Sequence, residues 1–219
     1  MKIKLDNVTI AAVACVRTIE TIKALKYSML GIEFNKAILL TSDNVTDNEI
    51  EVIKIDKLDY DGYNRFIVYE LHKYIDTDYV LIVQDDGYVI SPQMWKDEFL
   101  KYDYIGAPWG LPTDNFSFRD PFNNIIRVGN GGFSLRTKKL LSLPTKLNLE
   151  WKPYFGFYNE DGFFTCHNRH LFEKEGCVFA PLDVAKYFSH ESQIPEIRGI
   201  LPFGFHSKWS PYNNLKFRI

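Results

Sequence analysis

The run V-T-I-A-A-V-A-C-V, Val8 to Val16, constrains the fold more than any other part of the chain. At about nine residues it falls far short of the roughly 20 a membrane-spanning helix needs. It is also too uniformly apolar for a strand with one wet face, so it reads as a strand covered on both sides, the signature of a parallel sheet between helical layers. A helix follows over Thr18–Leu30, with Ile19, Ile22, Leu25 and Met29 near the 3.6-residue period and Gly31 as its stop. Ala37–Thr41, Glu51–Ile55 and Tyr79–Val83 read as three more strands, with a second amphipathic helix over Asn64–Tyr74. Strands alternating with helices of this length pair in parallel through right-handed crossovers. The expected fold class is α/β: a Rossmann-like first half and a mixed central sheet flanked by helices.

The second half is less regular. Gln93–Tyr102 reads as a short helix and Tyr104–Pro108 as a strand. The loop Gly110–Asn124, with Pro112 and Pro121, has the length of a functional lid. V-G-N-G-G-F-S-L-R, residues 128–136, leads into a further strand, and Asn159–Lys174 reads as a helix stopped by Gly176 before a short strand at Val178–Phe179. No linker or repeat divides the chain, so one domain is expected over 1–219. Within it, about 8–103 and about 104–206 form two halves and 207–219 a tail.

Composition removes several function classes. A net charge of -2 leaves no basic surplus for a phosphate backbone, so nucleic acid is not an expected partner. No secretory leader is visible in the charged stretch Met1–Asn7, and no transmembrane segment is expected. Cys15, Cys166 and Cys177 form no C-x-x-C pair, and an odd number of thiols fits a reducing cytoplasm. Cys166, His167 and His170 share one expected helix, but no second ligand pair with structural-zinc spacing accompanies them.

The chemistry concentrates where V-L-I-V runs into Gln84, Asp85 and Asp86. In an open α/β sheet ligands bind beyond the carboxyl ends of the strands, and two adjacent carboxylates there lose hydration and repel each other unless something compensates. A divalent cation would do so, and Mg²⁺ or Mn²⁺ takes carboxylate oxygens together with substrate phosphate oxygens. The plain alternative is a turn, since D-D-G is also a chain-reversal signal. Gly131 and Gly132, next to Asn130, suit either close approach to a ligand or a tight turn. Asn159, Glu160 and Asp161 suit either a helix cap with acidic residues at the dipole's positive end or a general base. His206, in F-G-F-H, becomes a third metal ligand if the chain folds back over the site. Arg17 and Arg65, at a strand end and a helix start, are candidates to meet the base or phosphates.

Taken together, Q-D-D after a buried strand, Y-I-G-A-P-W at 104–109, G-N-G-G-F-S-L-R at 129–136, N-E-D at 159–161 and the late F-G-F-H resemble a family of GT-A-like glycosyltransferases catalogued mainly as a domain of unknown function. The resemblance runs from about Ile10 to His206, and it implies a nucleotide-sugar-binding half over about 8–103 and an acceptor half with the catalytic residues over about 104–206. It implies a nucleoside-diphosphate-sugar donor such as a UDP-sugar, a D-x-D-type motif and a divalent metal, Mn²⁺ or Mg²⁺, with Asp86 and His206 as its ligands. Gln84 stands where many relatives carry the first aspartate, which bears on how strictly metal is required. Gln84, Asp85, Asn130, Gly131 and Gly132 would help hold the donor. The resemblance makes Asp161 the base that deprotonates the acceptor hydroxyl, with Glu160 positioning the acceptor, and it implies inversion at the anomeric centre.

Acceptors compatible with this reading are a glycan, a lipid-linked sugar or a protein. The C-terminal stretch with Trp209, Tyr212, Phe217, Lys208, Lys216 and Arg218 is suited either to rest on an anionic membrane or to pack on the domain. Two rival functions share the same features. A nucleotidyltransferase or nucleotide hydrolase would use the same layer and carboxylates, although no G-x-x-x-x-G-K-[ST] loop is present. A nucleotide-sugar or carbohydrate-binding module without catalysis would account for Gln84.

Overall fold

A computed structural model describes residues 2–153, 156 and 159–207. The tail residues Lys208, Trp209, Tyr212, Lys216, Phe217 and Arg218, and the aromatic residues 154, 155, 157 and 158, lie outside the described residues.

Six strands form one mixed sheet in the order β3-β2-β1-β4-β6-β5. These are β1 Ile3–Val13, β2 Ile32–Thr41, β3 Glu51–Lys54, β4 Tyr79–Ile82, β5 Tyr104–Ile105 and β6 Ser134–Thr137. The first four run parallel to one another, and β6 is antiparallel to both β4 and β5. The expected α/β class with a mixed sheet is the one observed.

Period-2 alternation explains why β1 is apolar throughout its second half. Val8, Ile10 and Ala12 join Leu25 of α1 (Thr18–Met29) and Phe188 of α6 (Leu182–Phe188) in one core. Ala11 and Val13 join Phe66 of α2 (Tyr60–Tyr69), Leu140 of α3 (Lys138–Lys146) and Phe172 of α5 (Arg169–Lys174) in the other. Both faces are therefore dry.

Several expected boundaries shift. Helix α2 starts at Tyr60 rather than Asn64, because Asp59 caps it by accepting from Gly62 N at 2.7 Å, and it ends at Tyr69, with a 3₁₀ turn over Leu71–Tyr74. The helix expected over Gln93–Tyr102 is two 3₁₀ turns, Pro92–Met94 and Asp97–Lys101. The helix expected over Asn159–Lys174 is α4 (Glu160–Gly162), a π turn over Phe163–His167, and then α5. Val178–Phe179 contributes only a bridge, from Phe179 to Tyr104. No helix among the described residues is long and apolar enough to cross a membrane.

One consequence of topology matters most for function. Because β6 runs antiparallel to β4, Ser134 at its start pairs with Ile82 at the end of β4. The 128–133 loop entering β6 therefore arrives at the carboxyl end of the parallel strands, beside Gln84–Asp86.

Candidate functional site

Gln84 and Gly87 close a tight turn through Gln84 N to Gly87 O at 3.0 Å and Gly87 N to Gln84 O at 3.1 Å, with Asp85 and Asp86 at its tip. The turn reading and the ligand reading of D-D-G are thus compatible: the turn presents the carboxylates. The segment after it pairs with the C-terminal region, Val89 bridging Gly204 and Ile90 N donating to Phe203 O. That pairing folds the chain back. His206 Nε2 comes to lie 3.1 Å from Gln84 Oε1 and 3.5 Å from Asp86 Oδ1.

A residue without any sequence signal joins them. β7 (Ser189–His190) lies parallel to β8 (Gly204–Phe205), so the residues that follow the two strands, Glu191 and His206, sit side by side. Glu191 Oε1 is 3.2 Å from His206 Nδ1 and accepts from Asn130 Nδ2 at 2.7 Å.

Two clefts flank this group. One, of about 490 Å³, lies over the ends of the parallel strands and is lined by residues of 13–17 and 58–63, by Gln84, Asp85 and Asp86, and by His206. Arg17 reaches into it from a left-handed backbone conformation at φ 54° and pairs with Asp85. The other cleft, of about 530 Å³, is lined by Trp109, Phe116, Phe118, Arg119, Asn130, Asp161 and Glu191 among others. Part of its wall comes from the expected lid loop, where Phe118 stacks on Trp109 with centroids 4.5 Å apart.

The donor set fits a hard divalent cation. Asp86 supplies a carboxylate, Gln84 an amide oxygen and His206 an imidazole nitrogen, a combination Mn²⁺ or Mg²⁺ accepts when substrate phosphates complete the shell. The Nδ1 contact with Glu191 would serve as the outer-shell partner that fixes the imidazole's orientation if His206 held an ion. Among the described residues no group of three His, Cys, Asp or Glu is placed to hold an ion by itself. Cys166, of the C-H-x-x-H stretch, is buried against Trp109 and Ile126 instead.

A family model described as "Protein of unknown function (DUF5672)" matches residues 49–206. The chain belongs to the DUF5672 family. No curated protein matches it by sequence. The DUF5672 chain is similar in fold to a solved glycosyltransferase involved in glycosylation of the major capsid of PBCV-1, with TM-score 0.54, 14% identity and 93% of each chain covered. It also matches the mannosyltransferase PcManGT from Pyrobaculum calidifontis, solved in complex with GDP-Man and Mn²⁺, with TM-score 0.47 and 12% identity, covering 81% of this chain and 55% of that one. The fold is shared with the first of these solved glycosyltransferases.

Four sequence expectations take a different form in the DUF5672 protein. Asn130, expected at the donor, lines the second cleft and not the first. Glu160, expected to position an acceptor, is 5% exposed and lines neither cleft; its carboxylate faces inward to Arg136 Nη1. Arg65, expected at the nucleotide, stands on the exposed face of α2 and lines neither cleft, while its neighbour Tyr63 turns toward Gln84. Gly131 and Gly132 make room for the chain's own side chains. A Cβ on Gly131 would lie 1.8 Å from Glu160 Oε1, and one on Gly132 would lie 2.2 Å from His206 Nε2. Gly132→Ala is therefore expected to displace the imidazole and weaken Mn²⁺ binding about tenfold, measured by calorimetry with the nucleotide present. Wild-type Mn²⁺ affinity in that variant would remove His206 from the ion's shell.

Electrostatics separate the carboxylates. Burial, with the neighbouring Glu160 charge, raises the Asp161 carboxyl to about 7. Burial works against protonation of His206, but the hydrogen bond to Glu191 and the charges of Glu191, Asp86 and Asp161 outweigh it, so its pKa is raised.

Proposed function

We propose that this DUF5672 protein transfers a glycosyl unit from a nucleoside-diphosphate sugar to an acceptor hydroxyl, with inversion. One juxtaposition supports the reading: the Gln84-Asp86-His206 group stands between a cleft at the sheet's carboxyl ends and a second cleft holding a base-poised aspartate. The division of labour follows the chain. Residues 13–86 line the first cleft and residues 109–207 the second, with His206 crossing to the first, which supports assigning the donor to about 8–103 and the acceptor to about 104–206.

Asp86 and His206 would hold Mn²⁺ or Mg²⁺, with Gln84 as a neutral third donor; when bound, the cation neutralises the charge that develops on the leaving diphosphate. Arg17, tied to Asp85 at the mouth of the same cleft, is placed to meet the nucleotide's phosphates. Across the site, Asp161 takes the proton of the acceptor hydroxyl as that oxygen forms its bond to the anomeric carbon. The bond from that carbon to the phosphate oxygen breaks, and its electron pair leaves on the nucleoside diphosphate. Attack from the face opposite the leaving group needs no covalent intermediate. A reducing cytoplasm is the compartment proposed with this reading, one in which Cys15, Cys166 and Cys177 would stay as thiols.

Incubation with a panel of nucleotide sugars and Mn²⁺ tests the proposal. Sugar-dependent release of nucleoside diphosphate is expected, and Asp86→Ala should lower Mn²⁺-supported nucleotide affinity by about 10–100-fold. Tight nucleotide binding with no turnover on any donor would instead favour a binding module, and hydrolysis of unglycosylated nucleotides a nucleotide hydrolase.

A further inference from the structure

The second cleft carries a signature of its ligand that rests on the transferase reading and goes beyond it. Asn130 is 5% exposed and lines that cleft. Its Nδ2 donates to Glu191 Oε1 at 2.7 Å, and because a carboxylate accepts but cannot donate, the amide cannot flip. Its Oδ1 is thereby left as a buried acceptor with no partner among the described residues, an arrangement that is costly unless a ligand donates to it. Asp161 in the same cleft is also an acceptor once ionised. Two acceptors of this kind favour a ligand with two neighbouring O–H groups, and Arg119 in the same lining adds a donor for one of that ligand's oxygens. Phe118, backed by the buried Trp109 on which it stacks, and the half-exposed Phe116 give an apolar wall that suits the C–H face of a sugar ring.

We propose that this cleft takes a pyranose of a glycan acceptor through two adjacent hydroxyls, the nucleophilic one against Asp161 and its neighbour donating to Asn130 Oδ1. Glu191 is a positioning residue for that contact, since it holds the Asn130 amide in the one orientation that offers Oδ1 to the ligand. The same Glu191 oxygen faces His206 Nδ1, so one carboxylate braces both sides of the reaction centre.

Saturation-transfer NMR on the full chain tests this, with methyl pyranosides of glucose, galactose and mannose, and their monodeoxy analogues, as probes in the presence of Mn²⁺ and nucleoside diphosphate. At least one parent glycoside is expected to bind, and loss of one specific hydroxyl should weaken it about tenfold in the wild type, a difference of about 1.4 kcal/mol. Asn130→Ala, and the milder Asn130→Ser, should abolish that discrimination while the parent glycoside still shows saturation transfer. Undiminished discrimination in both variants overturns the role of Asn130. Absence of saturation transfer from every pyranoside, while nucleotide still binds, overturns the acceptor class and leaves the transferase reading standing. Failure of nucleotide binding in the wild type overturns the transferase reading itself.

Discussion

Asp161→Asn is expected to lower glycosyl transfer by about 10²–10⁴-fold, the usual contribution of a positioned general base, while Mn²⁺-supported nucleotide binding stays at the wild-type level. The amide keeps the shape of the carboxyl and loses only the ability to take a proton. Wild-type transfer should itself rise with pH through about 7 and then level, because burial and the Glu160 charge raise the Asp161 carboxyl to about that value. The same shift acts on stability, with a definite sign. The folded-state pKa lies above the ordinary value of 3.8, so the folded chain holds this proton more tightly than the unfolded chain does. Stability from this group is present below about pH 4 and is lost as pH rises through about 7. Asp161→Asn, which never ionises, should therefore melt higher than the wild type at pH 8 and about equally at pH 4. For a chain of this size each kcal/mol moves Tm by about 2–4 °C. Melting curves at the two pH values and a single-turnover assay read both effects, and unimpaired turnover in the variant would remove Asp161 as the base.

How much of this could be read in the sequence depended on whether the cause was local. The central strands were legible because both of their faces are buried, which leaves an unbroken apolar run. The early halves of β1 and β2 were not, because there exposed residues such as Lys4 and Glu33, paired at 3.5 Å, interrupt the run. Pro144 disguised α3, whose start is capped by Thr137 accepting from Leu140 N at 3.1 Å. In the site, Gln84, Asp85 and Asp86 stood out because carboxylates at the end of an apolar strand are costly without a ligand. Glu191 left no such trace: its meaning comes from the parallel pairing of β7 with β8, a contact between segments 15 residues apart that no periodicity announces. Glu160 was misplaced for the same reason, since its partner Arg136 is 24 residues away on a strand.

Arg136→Met is the change expected to cost the most stability, about 3–5 kcal/mol, read as a shift of the urea midpoint at unchanged slope. Arg136 is fully buried and pairs with Glu160 at 2.5 Å. It also donates to Ser134 Oγ at 3.0 Å, and its guanidinium lies 4.7 Å from the Tyr104 ring centroid. Methionine can fill the space but leaves the Glu160 carboxylate buried without a counter-charge, which is far worse than losing the pair together. The double variant Arg136→Met, Glu160→Gln should consequently recover much of the loss, and if it is no more stable than the single variant the pair is not what holds this region. Catalysis provides a second readout. The Glu160 charge raises the Asp161 carboxyl and the Arg136 charge opposes that rise, so removing Arg136 alone should move the pH midpoint of transfer upward. Neutralising Glu160 as well should move it back down. The buried ion pair beneath the acceptor cleft would then set the pH at which Asp161 becomes a base, giving Glu160 an influence on the reaction without any contact with the acceptor.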